Sequence, residues 1–268
     1  VSSSPLSSPA VKQTMLAAAQ AAHNHTLSRF RSGLAVTNKL TEGFDPVTEA
    51  DREAETAVRA VIESHFPDHA IIGEEWDDKP SQSPYSWVID PIDGTRAFIS
   101  GVPVWGTLIG LMNNGHAFAG LMAQPFTGEM WIGIDGATDF IHAGQTVRAQ
   151  TSSVTKLSQA RASTTSPDLF DGLYYGSWNA IRDAVLQVRY GLDCYAYCLL
   201  ASGHIDLVVE AGLKNVDIAP LVPIIEGAGG RVSTWDGGRA EKGGTCVAAA
   251  TPQLHEEALD LLRRAMLD

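Results

Sequence analysis

The sequence predicts an α/β protein with helical layers on mixed β-sheets, and three observations predict it. Helix-length stretches, some rich in alanine and some opened by capping residues, alternate with short apolar runs of strand length. Asn114-Gly115 between apolar runs marks a hairpin, so part of the sheet structure is antiparallel. Elsewhere strands are separated by helices, which demands crossovers, and no internal repeat organises them. That mixture argues against a simple dinucleotide-binding unit.

The 268 residues are 44% hydrophobic, enough to bury a substantial core. One unit of two intimate lobes is expected, at about 10–155 and 156–268, after a flexible Ser- and Pro-rich stretch at 1–9. With 19 Lys+Arg against 31 Asp+Glu the formal charge is -12, which excludes non-specific attraction to nucleic acid or anionic membrane. Three cysteines do not make a disulfide framework, and Cys194 and Cys198 read as core thiols. No apolar run approaches ~20 residues, so no membrane span is expected. The first residues lack a basic region followed by an apolar one, and a cytoplasmic location is expected.

In chain order, residues 10–32 are expected as an outer helix. His23 and His25 lie two apart in it and share no face, which argues against a metal pair. Asp45-Pro46 signals a turn, and Thr48 caps a second helix running to about His65. Asp51, in its first turn, either answers the helix dipole or orients a hydroxyl or water. A short strand at 70–73 ends in Glu74-Glu75, and a polar loop follows. The apolar run from Trp87 ends in Asp90-Pro91-Ile92-Asp93-Gly94-Thr95, a turn that presents Asp90 and Asp93 together. The N–H groups of Gly94 and Thr95 are there available to an anion. Val104 to Ile134 reads as a three-stranded meander, and an edge strand is expected at 147–150. Residues 161–170 open the second lobe, followed by a helix at 178–187, a short strand at 188–191 and a helix at 192–202 that contains Asp193. A strand at 205–209 ends at Glu210. Asp217 is expected to begin a helix that kinks at Pro223 and stops at Gly229-Gly230. Two strands around a Gly-rich turn and a helix to Met266 close the chain.

The acidic set is then Glu74, Asp90, Asp93 and Asp217, with no clear histidine or cysteine ligand among its neighbours. Such a set suits a hard ion, Mg2+ first and Mn2+ second. Held against a phosphate, these ions polarise it, acidify a bound water and neutralise the leaving oxygen. Thr95 can position that water, with Asp51 accepting its hydroxyl proton. No P-loop and no Gly-x-Ser-x-Gly elbow is present, which argues against a nucleotide hydrolase of that type or a serine nucleophile.

Four ordered motifs, Asp45 to Asp51, Gly73 to Glu75, Asp90 to Thr95, and Asp217 with Glu226 to Gly230, resemble the inositol monophosphatase family of Mg2+-dependent, lithium-sensitive phosphatases. One departure is Val216, where the family often has Trp; it touches packing and not ligation. The resemblance implies the layered αβαβα sugar-phosphatase fold, in a homodimer. It implies that Glu74, Asp90 and the Ile92 carbonyl hold a first ion, and Asp90, Asp93 and Asp217 a second. Glu74 helps with a weaker third. Glu74 and Thr95, with Asp51 behind, would activate the attacking water, and the Gly94 and Thr95 amides would hold the phosphate of a small substrate.

Within the family, residues 94–110, 193–197 and 203–214 resemble the histidinol-phosphate phosphatase branch, including Arg96 where the inositol branch usually has Asn. Substrate contacts are expected from Asp93, Arg96, Asp193, Glu210 and Asp217. Asp193 and Glu210 can receive an ammonium and an imidazole by charge-assisted bonds. Glu210 can equally bind an inositol hydroxyl, and Asp193 can serve as a helix N-cap. Histidinol phosphate is the leading expected substrate, and inositol 1-phosphate, with broad specificity, is the alternative.

Overall fold

The structure is a computed structural model and describes residues 6–33, 37–38 and 46–266. Asp45, which opens the first motif, and part of the expected flexible start lie outside the described residues. In chain order the elements are α1 Ser8–Thr26, β1 Thr37–Asn38, β2 Pro46–Val47, α2 Glu49–His65, β3 Ala70–Gly73, β4 Tyr85–Asp93, α3 Thr95–Ile99, β5 Gly106–Asn113, β6 His116–Gln124, β7 Glu129–Ile134, β8 Ala137–His142 and β9 Gln145–Arg148. The second half adds β10 Arg161–Thr164, α4 Leu173–Ala184, β11 Gln187–Tyr190, α5 Tyr195–Ala201, β12 Leu207–Leu213, α6 Asn215–Ile218, α7 Leu221–Gly227, β13 Arg231–Ser233, β14 Gly244–Ala249 and α8 Pro252–Ala265.

Strands β3 to β9 form one sheet in sequence order, antiparallel except where β3 pairs with β4. The second sheet runs β11-β10-β12-β14-β13, with β10 parallel to both neighbours. Helices α1 and α2 cover the outer face of the first sheet through Met15, Val58, Trp87 and Leu121. Helices α5, α6 and α7 fill the space between the sheets, packing Leu200 and Ile224 against Leu108, Met122 and Val208. Helices α4 and α8 close the far side over Trp178, Leu207 and Leu262. The order of layers is α, β, α, β, α.

Local chemistry explains the element ends. Thr48 caps α2 by accepting from Ala50 N at 3.2 Å, and Asp51 closes a capping box by accepting from Thr48 N at 2.9 Å. Thr251 caps α8 with Pro252 at its first turn. In the first sheet Gly120 and Gly133 leave room for the α7 region: a Cβ at Gly120 would lie 1.8 Å from Pro220 O, and one at Gly133 2.3 Å from Pro223 O. The middle helices therefore lie directly on the sheet backbone.

Several sequence boundaries are corrected. Helix α1 spans Ser8–Thr26 and not 10–32: from Leu27 the chain passes into turns, with Arg29 N bonded to Thr26 O, and Arg31 then takes φ 63°. The meander continues into β8, and the edge strand is Gln145–Arg148. Helix α4 ends at Ala184, since Gln187 pairs with Arg161 as β11. Helix α5 starts at Tyr195, so Asp193 lies before it with φ 46° and is neither within the helix nor its N-cap. The helix expected from Asp217 begins at Asn215 and breaks at Ala219-Pro220, and Pro223 falls in the first turn of α7, where its missing N–H is harmless. Trp178, within α4, is buried and stacked on Phe170.

Candidate active site

The site is built on a defect in β4. Asp90 pairs with Leu108 while Asp93 pairs with Gly106, so three steps on β4 oppose two on β5. This is a β-bulge, and Pro91, which has no N–H to give the ladder, is inside it. Strand side chains alternate faces, so residues three apart would point oppositely. The extra residue cancels that alternation and turns Asp90 and Asp93 to the same end of the sheet. Asp90 Oδ1 accepts from Ile92 N at 3.0 Å, which fixes the turn.

Asp217 arrives from α6 across the cleft. One carboxylate oxygen each from Asp90, Asp93 and Asp217 lie within 4.8 Å of one another. Burial pushes the Asp90 carboxyl well above the carboxylate range, reinforced by the charges of Glu74, Asp93, Asp217 and Asp51. Asp93 is raised in the same direction by burial and then by Asp217 and Asp193.

Gly94 follows with φ 82°, and a Cβ there would lie 3.0 Å from that of Asp193. Thr95 opens α3 and its hydroxyl donates to Ile92 O at 3.1 Å. Asp51 Oδ2 accepts from the Thr48 hydroxyl at 2.6 Å, in addition to the Thr48 amide. Here the Thr95 hydroxyl donates to Ile92 O rather than to Asp51, and Asp51 Oδ2 is engaged in capping α2.

Glu74 is held at both ends. Its backbone N–H donates to Glu55 Oε2 at 3.0 Å, as does that of Glu75 at 2.7 Å, and its Oε1 accepts from Lys214 Nζ at 2.9 Å. Glu55 is fully buried and paired with Arg59 at 2.8 Å. A Cβ on Gly73 would lie 1.9 Å from Glu55 Oε1, so only glycine lets this carboxylate under the turn. Sequence reading missed Glu55; its signal was an acid four residues after Asp51, on the apolar face of α2.

The second sheet supplies the other wall. Glu210 ends the regular part of β12, just before a bulge that contains Gly212 at φ 78°. Its Oε1 accepts from Thr165 N at 2.7 Å and Thr165 Oγ1 at 3.0 Å, while Oε2 is buried without a hydrogen-bond partner. Burial pushes the Glu210 carboxyl up to about 8, against the Thr165 bonds. Asp193 is raised to about 6 by burial, opposed by the charge of Arg96. The next amide, Cys194 N, donates to Asp93 Oδ2 at 2.8 Å and ties the two walls together. Glu74, Asp90, Asp93, Asp193, Glu210 and Asp217 all face one cleft of about 280 Å³, with Ile92, Gly94, Thr95 and Arg96 on its rim. Asp51 does not line it.

Comparison with known proteins decides the family. The profile of the inositol monophosphatase family matches residues 9–267. The chain belongs to that family. It is 43% identical over 244 residues to the chloroplastic bifunctional phosphatase IMPL2 of Arabidopsis thaliana, covering 87% of this chain and 69% of that protein. It is 33% identical over 257 residues to the histidinol-phosphatase of Mycobacterium tuberculosis, covering 92% and 96% of the two chains. The solved inositol monophosphatase of Zymomonas mobilis is 40% identical and superposes with a TM-score of 0.84 over 96% of this chain and 100% of that one. The α, β, α, β, α layering is thus the inositol monophosphatase fold.

Membership makes the chain a metal-dependent phosphomonoesterase, and its donor set fits that chemistry. All convergent groups are carboxylate oxygens, which suit a hard divalent cation, and their mutual repulsion in a partly dry cleft is relieved by one. Cys194 and Cys198 are buried thiols pushed above their usual range by burial, and neither joins the cluster. His116, His142 and His204 are exposed and also outside it. Among the described residues no helix is long and apolar enough to cross a membrane.

Proposed function

We propose that this phosphomonoesterase is of broad specificity, hydrolysing inositol monophosphates and histidinol phosphate, which carries an ammonium and an imidazole, in one cleft. The observation that carries this reading is Glu210. Its Oε2 lacks a hydrogen-bond partner and burial pushes its carboxyl up to about 8, so in the protonated form it can donate to a hydroxyl and in the ionised form, favoured by a nearby cation, it can receive an ammonium. Asp193, at about 6, is the complementary acid for an imidazolium or a second hydroxyl. The narrower assignment to histidinol phosphate draws on histidinol-phosphatases at 33% to 36% identity. A relative at 43% named a bifunctional phosphatase and a structure at 40% named an inositol monophosphatase favour the broader one.

Glu74, Asp90, Asp93, Asp217 and the Ile92 carbonyl would hold two to three Mg2+ ions, by the family resemblance. When bound, Mg2+ polarises the phosphoryl oxygens and makes a coordinated water more acidic. The Gly94 and Thr95 amides cradle the phosphate, and Glu74 with the Thr95 hydroxyl orients the water in line with the leaving oxygen. Asp51 fixes the start of α2 and adds negative charge behind Glu74. Arg96 lines the cleft, its charge acts on Asp193, and it would help to seat the substrate.

Phosphate release from inositol 1-phosphate and histidinol phosphate with Mg2+, with and without lithium, tests this reading. Both should be hydrolysed, with kcat/KM values within about tenfold of each other. Turnover of only one overturns the broad specificity, and a chelator-insensitive rate overturns the metal-dependent chemistry.

A further inference from the structure

Lys214 touches two residues of the acidic cluster through two different groups. Its backbone N–H donates to Asp217 Oδ2 at 2.7 Å, and its Nζ bonds Glu74 Oε1 at 2.9 Å. The main chain at this point is anchored. Leu213 pairs with Gly244 across the sheet, and a Cβ at Gly243 would lie 2.3 Å from Leu213 O and 2.8 Å from Lys214 C. The side chain has the opposite character: it is 56% exposed while that of Glu74 is 14% exposed. A fixed backbone therefore carries a cation on a flexible stem. That cation rests on the carboxylate that faces the cleft beside Asp90 and Asp217.

We propose that Lys214 is a built-in competitor for the Glu74 side of the metal centre. With no divalent ion bound, its ammonium neutralises Glu74 and limits repulsion among the acids. Ligation of a divalent ion through Glu74 Oε1 would displace the ammonium into solvent, while the Lys214 amide would keep its bond to Asp217. Lys214 thereby sets the metal concentration at which the site fills. This rests on the metal-dependent reading of the cleft.

Calorimetric titration of chelator-treated protein with Mn2+ and Mg2+ tests it. Lys214→Met keeps the length of the stem and removes the charge, and should bind the ion about two- to fivefold more tightly, the scale of a partly exposed ion pair. Lys214→Arg keeps the charge and should bind as the wild type does. Thermal unfolding in chelator establishes that each variant is folded. Equal or weaker metal binding by Lys214→Met overturns the proposal, because Lys214 would then only hold Glu74 in place. Absence of metal binding by the wild-type protein overturns the metal reading itself, an outcome separate from the first.

Discussion

Glu55, on α2, accepts the amide of Glu74 at 3.0 Å with the same oxygen that accepts Glu75, so a fully buried carboxylate sets the direction of a cleft acid 19 residues away. Glu55→Ala leaves two N–H groups without their acceptor and Arg59 Nε without its carboxylate partner, while Arg59 Nη2 keeps Trp76 O, at a cost of about 2–4 kcal/mol. Thermal unfolding should show that loss, and Mn2+ titration should show weaker binding. Glu55→Gln retains an acceptor and should recover most of the metal affinity. Normal Mn2+ affinity in Glu55→Ala would remove Glu55 from the site's supporting structure.

Asp93 is a ligand candidate whose ionised form is opposed by burial, Asp217 and Asp193. Asp93→Asn should lower turnover by about two orders of magnitude or more. The same change should stabilise the chelated protein by about 1 kcal/mol through relieved repulsion, read as a higher melting temperature. Phosphate release and calorimetry measure the two effects. Near-normal turnover would refute the role assigned to this carboxylate.

Gly120 tests how Asp217 is placed. A Cβ there meets Pro220 O at 1.8 Å, in the break between α6 and α7. Gly120→Ala should push that break off the sheet, destabilise the fold by about 1–3 kcal/mol and displace Asp217. The metal titration of a folded Gly120→Ala protein should therefore be weakened, although the substitution lies on a strand far from the cleft in sequence.

In the proposed reading, Glu210 and Asp193, which line the cleft, discriminate between substrates. Glu210→Gln removes the acid that an ammonium needs but keeps a group able to bond a hydroxyl. It should lower kcat/KM for histidinol phosphate by about tenfold or more, and that for inositol 1-phosphate by less. Equal losses on the two substrates would show that Glu210 does not discriminate between them.

His255 gives a pH dependence remote from the cleft. Burial, then Arg231 and Arg263, lower it from 6.5 to about 4, with Nε2 bonded to Ser233 Oγ at 2.9 Å. Between those values the unfolded chain binds the proton and the native state does not, so stability falls as pH drops from 6.5 towards about 4. Melting temperatures measured across that window should be less pH-dependent in His255→Gln.

The sequence determined the class of layers, most elements and the acids of the cleft. Those features are local: Thr48 caps α2 within three residues, Asn114-Gly115 turns a hairpin, and Asp90-Pro91-Ile92-Asp93 interrupts the regular pairing at the end of β4. Tertiary structure decided what local preference could not. The β4 bulge exists only against β5, and it decides that Asp90 and Asp93 point the same way. Asp193 leaves the helix because Cys194 N is taken by Asp93 and its own Cβ is packed against Gly94, a contact between segments about a hundred residues apart. Glu55 and Thr165 gained their roles the same way. A buried carboxylate must find donors, and which donors it finds is fixed by the packing of layers and not by neighbours in the chain.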